Sequence, residues 1–160
     1  MNAALSLWAG LAVIGFAMVF AVPRRSLPGI ILLAILAHLL RAQLLDLGAS
    51  LPVASFAAAV FVGFTAAVVA PRTGLATPII AFAPVIPLIP GVYMFEALSG
   101  VLALTTDPGA DPASVVDTTV VDVAIASLTI VALALGAISP TLILGRRIAA
   151  LVSSAGDDAG

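Results

Sequence analysis

The chain has no cysteine, no lysine and a single histidine, and it carries few charges of either sign. Without cysteine, disulfides, thiol nucleophiles and thiolate metal centres are excluded. Without lysine, and at a net charge of -2, there is no basic stripe to follow a nucleic-acid backbone. One histidine and no clustered carboxylates leave no donor set for the usual metal sites. No glycine-rich loop is present to cradle a phosphate. Neither enzymatic activity nor a cofactor is therefore expected. The scarcity of charge says most. Charged residues make up 9% of the 160 positions and hydrophobic ones 62%, whereas a soluble globular chain carries roughly 25% charged residues. A water-facing exterior is not built from so few charges, so most of the surface must face lipid.

What the chain does have is apolar sequence in long blocks. No charge falls between Met1 and Pro23, Leu47 and Pro71, Thr73 and Phe95, or Val123 and Gly145. Each block reaches the ~20 apolar residues that cross a ~30 Å hydrocarbon core. Prolines and glycines punctuate them and predict spans over about 5–22, 27–47, 51–70, 75–104 and 115–144. Ser26 is placed to cap the second span with Pro28 in its first turn, and Gly48 offers its stop. The expected fold is an all-α polytopic membrane bundle of about five transmembrane helices, using residues 1–152 as one domain. Residues 153–160 read as a loose, acidic, small-residue tail. Nothing positive precedes the first block and Arg24-Arg25 follow it, so it reads as a retained span and not as a secretory signal.

Orientation follows from the arginines, because cytoplasmic loops collect basic residues. With the N-terminus outside and the C-terminus cytoplasmic, Arg24, Arg25, Arg72, Arg146 and Arg147 all fall inside. The connectors at Gly48 and at Asp107–Asp111 fall outside. The proline-rich fourth stretch must then cross fully, since a re-entrant loop would reverse that pattern.

Four features carry chemistry. The first is Pro84-Val-Ile-Pro87-Leu-Ile-Pro90-Gly91. Proline lacks the amide donor and clashes with the preceding turn, so this spacing predicts a broken fourth helix over Pro84–Gly91. Unwound backbone survives at membrane depth only against protein or a watery cavity, and transporters place solutes at such breaks. A half-helix restarting near Pro90-Gly91 would point amides and a positive dipole end at a carboxylate. A plain packing kink is the alternative.

The second feature is His38 with Arg41, three residues apart on one helical face, about 18 and 22 Å along the helix from Ser26. An unpartnered charge at that depth costs at least about 2.5–3.5 kcal/mol on insertion scales, so Arg41 should face the bundle interior. It would there meet a substrate carboxylate, with His38 as a hydrogen-bonding or protonatable neighbour. Otherwise Arg41 snorkels outward or pairs with Asp46, and His38 is a satisfied core residue. Third is Glu96, about a turn and a half past the break, as a proton carrier or as a static partner of Arg41. Tyr93 lies three residues earlier on the same face and offers a hydroxyl, or merely an aromatic contact. Fourth, Asp117 reads as solvated at the outer interface, and the deeper Asp122 is a candidate to line an exit path and to take part in proton coupling. Separately, Ala59, Gly63 and Ala67 form a small-residue stripe for close helix contact.

These residues resemble the threonine/serine exporter (ThrE) family, and most closely its small YjjB-type half. The resemblance rests on Gly15-Phe-Ala-Met-Val-Phe-Ala-Val-Pro23-Arg-Arg25, Ala37-His38-Leu-Leu-Arg41 and Ile86-Pro87-Leu-Ile-Pro90-Gly91, in register from about Gly10 to Arg147. Ala21 and Ala37 depart from it, standing where better-known members carry Asn and Gly. The resemblance implies a secondary exporter driven by the proton motive force in the bacterial inner membrane, moving threonine and serine or succinate-like dicarboxylates. It also implies a partner, either a larger ThrE/YjjP-type membrane subunit or a second copy. His38, Arg41, Pro87, Pro90 and Gly91 occupy the matching motif positions. Tyr93, Glu96 and Asp122 are added from their chemistry alone. A non-transporting scaffold subunit and a passive channel are the rival readings.

Overall fold

The computed structural model describes residues 3–19, 22–107, 109 and 111–157. The described residues fold into helices and turns, with no strand among them. The order is α1 (Ala3–Val19), α2 (Leu27–Asp46), α3 (Leu51–Thr73), α4 (Thr77–Val85), a single 3-10 turn (Ile86–Leu88), α5 (Gly91–Thr106) and α6 (Pro112–Asp157). The chain is an all-α membrane helix bundle. α2, α3 and α6 are each long and apolar enough to cross a bilayer, and α4 with α5 makes a fourth candidate when the bent pair is one span. α1 is uncharged over its 17 residues. Phe20 and Ala21, at the end of the expected first span, lie outside the described residues.

Local chemistry sets the helix ends. α2 stops at Gly48, whose φ of 88° is open to glycine without a Cβ penalty. There the Ala49 amide bonds the Leu44 carbonyl and the Gly48 amide the Leu45 carbonyl, both at 3.0 Å, the paired closure of a Schellman turn. α3 runs past Pro71 and closes at Gly74 with φ 68°. At the start of α2, Ser26 occupies the cap position but makes no side-chain capping bond. The reason is local. Ser26 is in the helical region (φ -93°, ψ -12°) and not extended as a capping serine is, and Pro28 removes one of the two amides such a cap would use.

α3 is the central helix, packed against α2, α4 and α6. Its Ala54, Ala58, Ala59, Val62 and Ala66 are fully buried. Lipid is as apolar as leucine, so helix association there rests on close packing and not on escape from water. The expected small-residue stripe supplies it at Ala59 and Gly63. A Cβ on Gly63 would sit 2.5 Å from the Ala137 carbonyl oxygen, and one on Gly136 2.7 Å from that of Phe56. The matched order of these contacts makes α3 and α6 run in the same direction. Pro140 sits inside α6 and cannot donate to the Gly136 carbonyl. The Ser139 hydroxyl donates to that oxygen instead at 2.9 Å, which removes the cost of an orphan acceptor in hydrocarbon.

α6 extends past its expected end at Leu144 as far as Asp157, taking in Ser153–Asp157 of the expected tail. The residues after Gly145 hold good helix formers and no proline, so nothing local stops the helix there. The rest of that tail, residues 158–160, lies outside the described residues. The exterior is apolar as composition requires, with Met18, Phe95, Leu98 and Leu135 all well exposed.

Candidate functional site

The break is narrower than the proline run. Pro84 remains inside α4, and the helix gives way only from Ile86 to Pro90. A residue before proline is pushed out of the helical region. Ile89 obeys, with φ -60° and ψ 134°. Pro90 follows at φ -79° and ψ 63°, the centre of an inverse γ-turn. In it the Gly91 amide bonds the Ile89 carbonyl at 2.9 Å. α5 then leaves at 56° to the preceding segment. It starts at Gly91, where the restart was expected.

The break turns the Leu88 carbonyl out of the helix ladder, and Arg41 takes it. The Arg41 Nη1 donates to the Leu88 carbonyl oxygen at 2.6 Å. Leu88 itself is fully buried. Arg41 therefore faces inward, as the cost of a lone charge in lipid demands. Its Nε is buried and has no hydrogen-bond partner. A guanidinium has five N–H donors and no way to shed its charge, so this bond holds the group in place while the Nε donor stays unused.

Neighbouring residues complete the picture. Tyr93 is half-buried on the first turn of α5, the helix that leaves the break held by Arg41. His38 is half-buried on the same face of α2, one turn before Arg41. Pro87 is half-buried, Pro90 buried and Gly91 exposed. The adjacent Ala37, where the sequence departs from family expectation, is fully buried, while Ala21 lies outside the described residues.

The carboxylates stand apart from this cluster. Glu96 is exposed on α5, and no ion pair between it and Arg41 forms among the described residues. Asp122 is half-buried on α6, and Asp117 is exposed. Gly100 lies directly against the Thr119 side chain, and that contact sets the register of the antiparallel α5–α6 hairpin. One turn from this contact toward the break, Glu96 and Asp122 stand at about the same level. The residue that sequence reasoning missed is Leu88. Its side chain signals nothing, but its place between Pro87 and Pro90 marks its carbonyl as one the helix cannot use.

An apolar bundle with one broken span and an arginine bonded to the break defines a polytopic membrane protein. The profile of the family described as "Threonine/Serine exporter, ThrE" matches residues 5–143, and the chain belongs to that family. It is also similar to an uncharacterised protein of Haemophilus influenzae, 34% identical over 92 residues that cover 58% of this chain and 31% of that protein. The chain thus spans under a third of the length of that relative. No solved structure matches.

Proposed function

We propose that this chain is a subunit of a secondary exporter, driven by the proton motive force, for small amino acids or carboxylates such as threonine, serine or succinate. The observation that carries the reading is Arg41, tethered to the Leu88 carbonyl at 2.6 Å with a buried, unpartnered Nε. A solute carboxylate binds between this guanidinium and the first turn of α5, where helix-start amides and the dipole favour an anion. Tyr93 and His38 offer hydrogen bonds to the rest of the solute, and Pro87, Pro90 and Gly91 hold the break open. Glu96 and Asp122, level with one another on α5 and α6, carry the coupling proton.

The chain resides in the bacterial inner membrane with its N-terminus outside and its C-terminus cytoplasmic, crossing five times. Arginine placement supports that orientation. The chain works with a larger ThrE/YjjP-type subunit or a second copy. The exposed Glu96 supports this, because a carboxylate left against lipid is costly.

The test is reconstitution in liposomes, alone and with the larger partner, following labelled threonine, serine and succinate under an imposed pH gradient. Gradient-driven flux of at least one solute is expected. Absence of flux in every combination overturns the proposal. The rival scaffold reading draws on the same Arg41–Leu88 bond taken as a fixed strut, and it predicts no flux. A passive channel predicts flux indifferent to the gradient.

A further inference from the structure

A cavity lies on the arginine-bearing end of the bundle, away from the break. It has a volume of about 220 Å³ and is lined by Arg25, Ser26, Gly29, Ile30 and Leu33 from the start of α2, by Thr65, Val69 and Thr73 from the end of α3, and by Ile80 of α4. Arg25 and Thr73, both exposed, form its mouth. The space exceeds several-fold the ~30 Å³ share of one water molecule in the liquid.

Its chemistry has two poles. Arg25 supplies cationic donors. The Thr65 hydroxyl donates to the Phe61 carbonyl at 2.9 Å, and that of Thr73 to Val69 at 3.2 Å. Both hydroxyl oxygens keep lone pairs for an ammonium group. The Ser26 hydroxyl is not used in capping. Between these polar groups stand Ile30, Leu33, Val69 and Ile80, which suit a short aliphatic stem.

The cavity is in line with the Arg41 site. Leu33, Ala37 and Arg41 recur every four residues along one face of α2. α2 and α4 pack side by side, and both start from the arginine-bearing end. From Leu33 to Arg41 is eight residues, about 12 Å of α-helix, and from Ile80 to Leu88 is also eight, the last three in the longer-pitched 3-10 turn. Leu33 and Ile80 thus mark the cavity floor, and Arg41 with Leu88 marks the next polar level. Between them Ala34, Ala37, Ala81 and Ala83 are buried. Pro84 and Val85 are buried at the same level, so the barrier separating the two levels is a packed apolar layer of alanines with one proline and one valine.

We propose that the cavity lined by Arg25, Ser26, Gly29, Thr65 and Thr73 is a vestibule that binds a small zwitterionic, carboxylated solute on the arginine side before it reaches Arg41. The proposal rests on the transport reading and adds to it a second, separate binding position. The carboxylate meets Arg25, the ammonium meets the threonine hydroxyls, and the apolar layer between the two levels must part for the solute to move inward.

The native chain has no cysteine, so single-cysteine labelling reads each position without background. Gly29→Cys and Thr65→Cys, in the full chain with its partner subunit, are treated with a membrane-impermeant methanethiosulfonate in vesicles of each orientation. A Cβ at Gly29 meets nothing within 4 Å, so that variant keeps the fold. Labelling is expected only from the Arg25 side, and threonine or serine at ten times its dissociation constant slows it about tenfold. Gly29→Leu, which fills the cavity, is expected to lower flux without lowering thermal stability. Labelling from both sides, no labelling because acyl chains fill the space, or labelling that no solute slows would each overturn the vestibule. Flux with unprotected cysteines sinks the vestibule and leaves transport standing. Protected, sided labelling without flux does the reverse.

Discussion

Arg41 donates through Nη1 to the carbonyl oxygen of Leu88 at 2.6 Å, joining α2 to the unwound step between α4 and α5. One bond thereby meets two needs that neither element meets alone. A buried guanidinium gains an acceptor, and a carbonyl outside the helix ladder gains a donor.

Removing the arginine tests both ends of that bond. Arg41→Ala is expected to abolish gradient-driven flux and to lower stability by about 1–3 kcal/mol, because the Leu88 carbonyl is left buried without a donor. Arg41→Lys keeps the charge and loses the planar fork, so partial stability and strongly reduced flux are expected. Thermal unfolding in detergent and liposome flux read the two effects separately. An Arg41→Ala protein that transports normally would falsify the carboxylate clamp and leave family membership untouched.

Proline at position 90 makes the break. Pro90→Ala restores an amide at that position and frees Ile89 to become helical. The 56° bend between the two segments is expected to straighten. Spin labels on α4 and α5 should then move apart, with loss of flux. An unchanged interlabel distance would show that packing and not proline imposes the angle.

The α3–α6 crossing depends on missing side chains. Gly136→Val is expected to cost about 1–3 kcal/mol through overpacking, since a Cβ there lies 2.7 Å from the Phe56 carbonyl oxygen and 2.8 Å from the Ala59 Cβ. Gly15→Ala meets nothing within 4 Å and should leave stability unchanged. Comparison of unfolding midpoints in detergent checks both, and equal stability of the two variants would count against the crossing.

Proton coupling is separable from solute binding. Glu96→Gln and Asp122→Asn keep shape and hydrogen-bonding groups but lose the titratable proton. Each is expected to remove pH-gradient-driven accumulation while solute exchange at equal pH persists. If both variants still accumulate solute, the coupling proton travels elsewhere, and His38→Gln becomes the decisive variant.

Much of this was legible in the residues because the bilayer is a demanding solvent. A charge-poor chain with long apolar blocks must become lipid-facing helices, so the all-α bundle followed from composition. Pro90-Gly91 marked the restart of α5, and the depth of Arg41 marked it as inward-facing, each from a local cost that no neighbour removes. Other points were not legible. Pro84 stays helical because one proline at that position is absorbed by α4. Glu96 does not meet Arg41, because the bend carries α5 away and places it against α6.

Sequence alone determined the medium, the helical class and the residue types that must hide from lipid, since each depends on the energy of a side chain or amide in hydrocarbon. Tertiary structure alone decided which partner each hidden group found. The Leu88 carbonyl beside Arg41, the Gly63 and Gly136 crossing, and the cavity beneath Arg25 all depend on how separate helices lie together. Spacing along one chain does not encode the distance between two helices, and that distance is where these contacts are made.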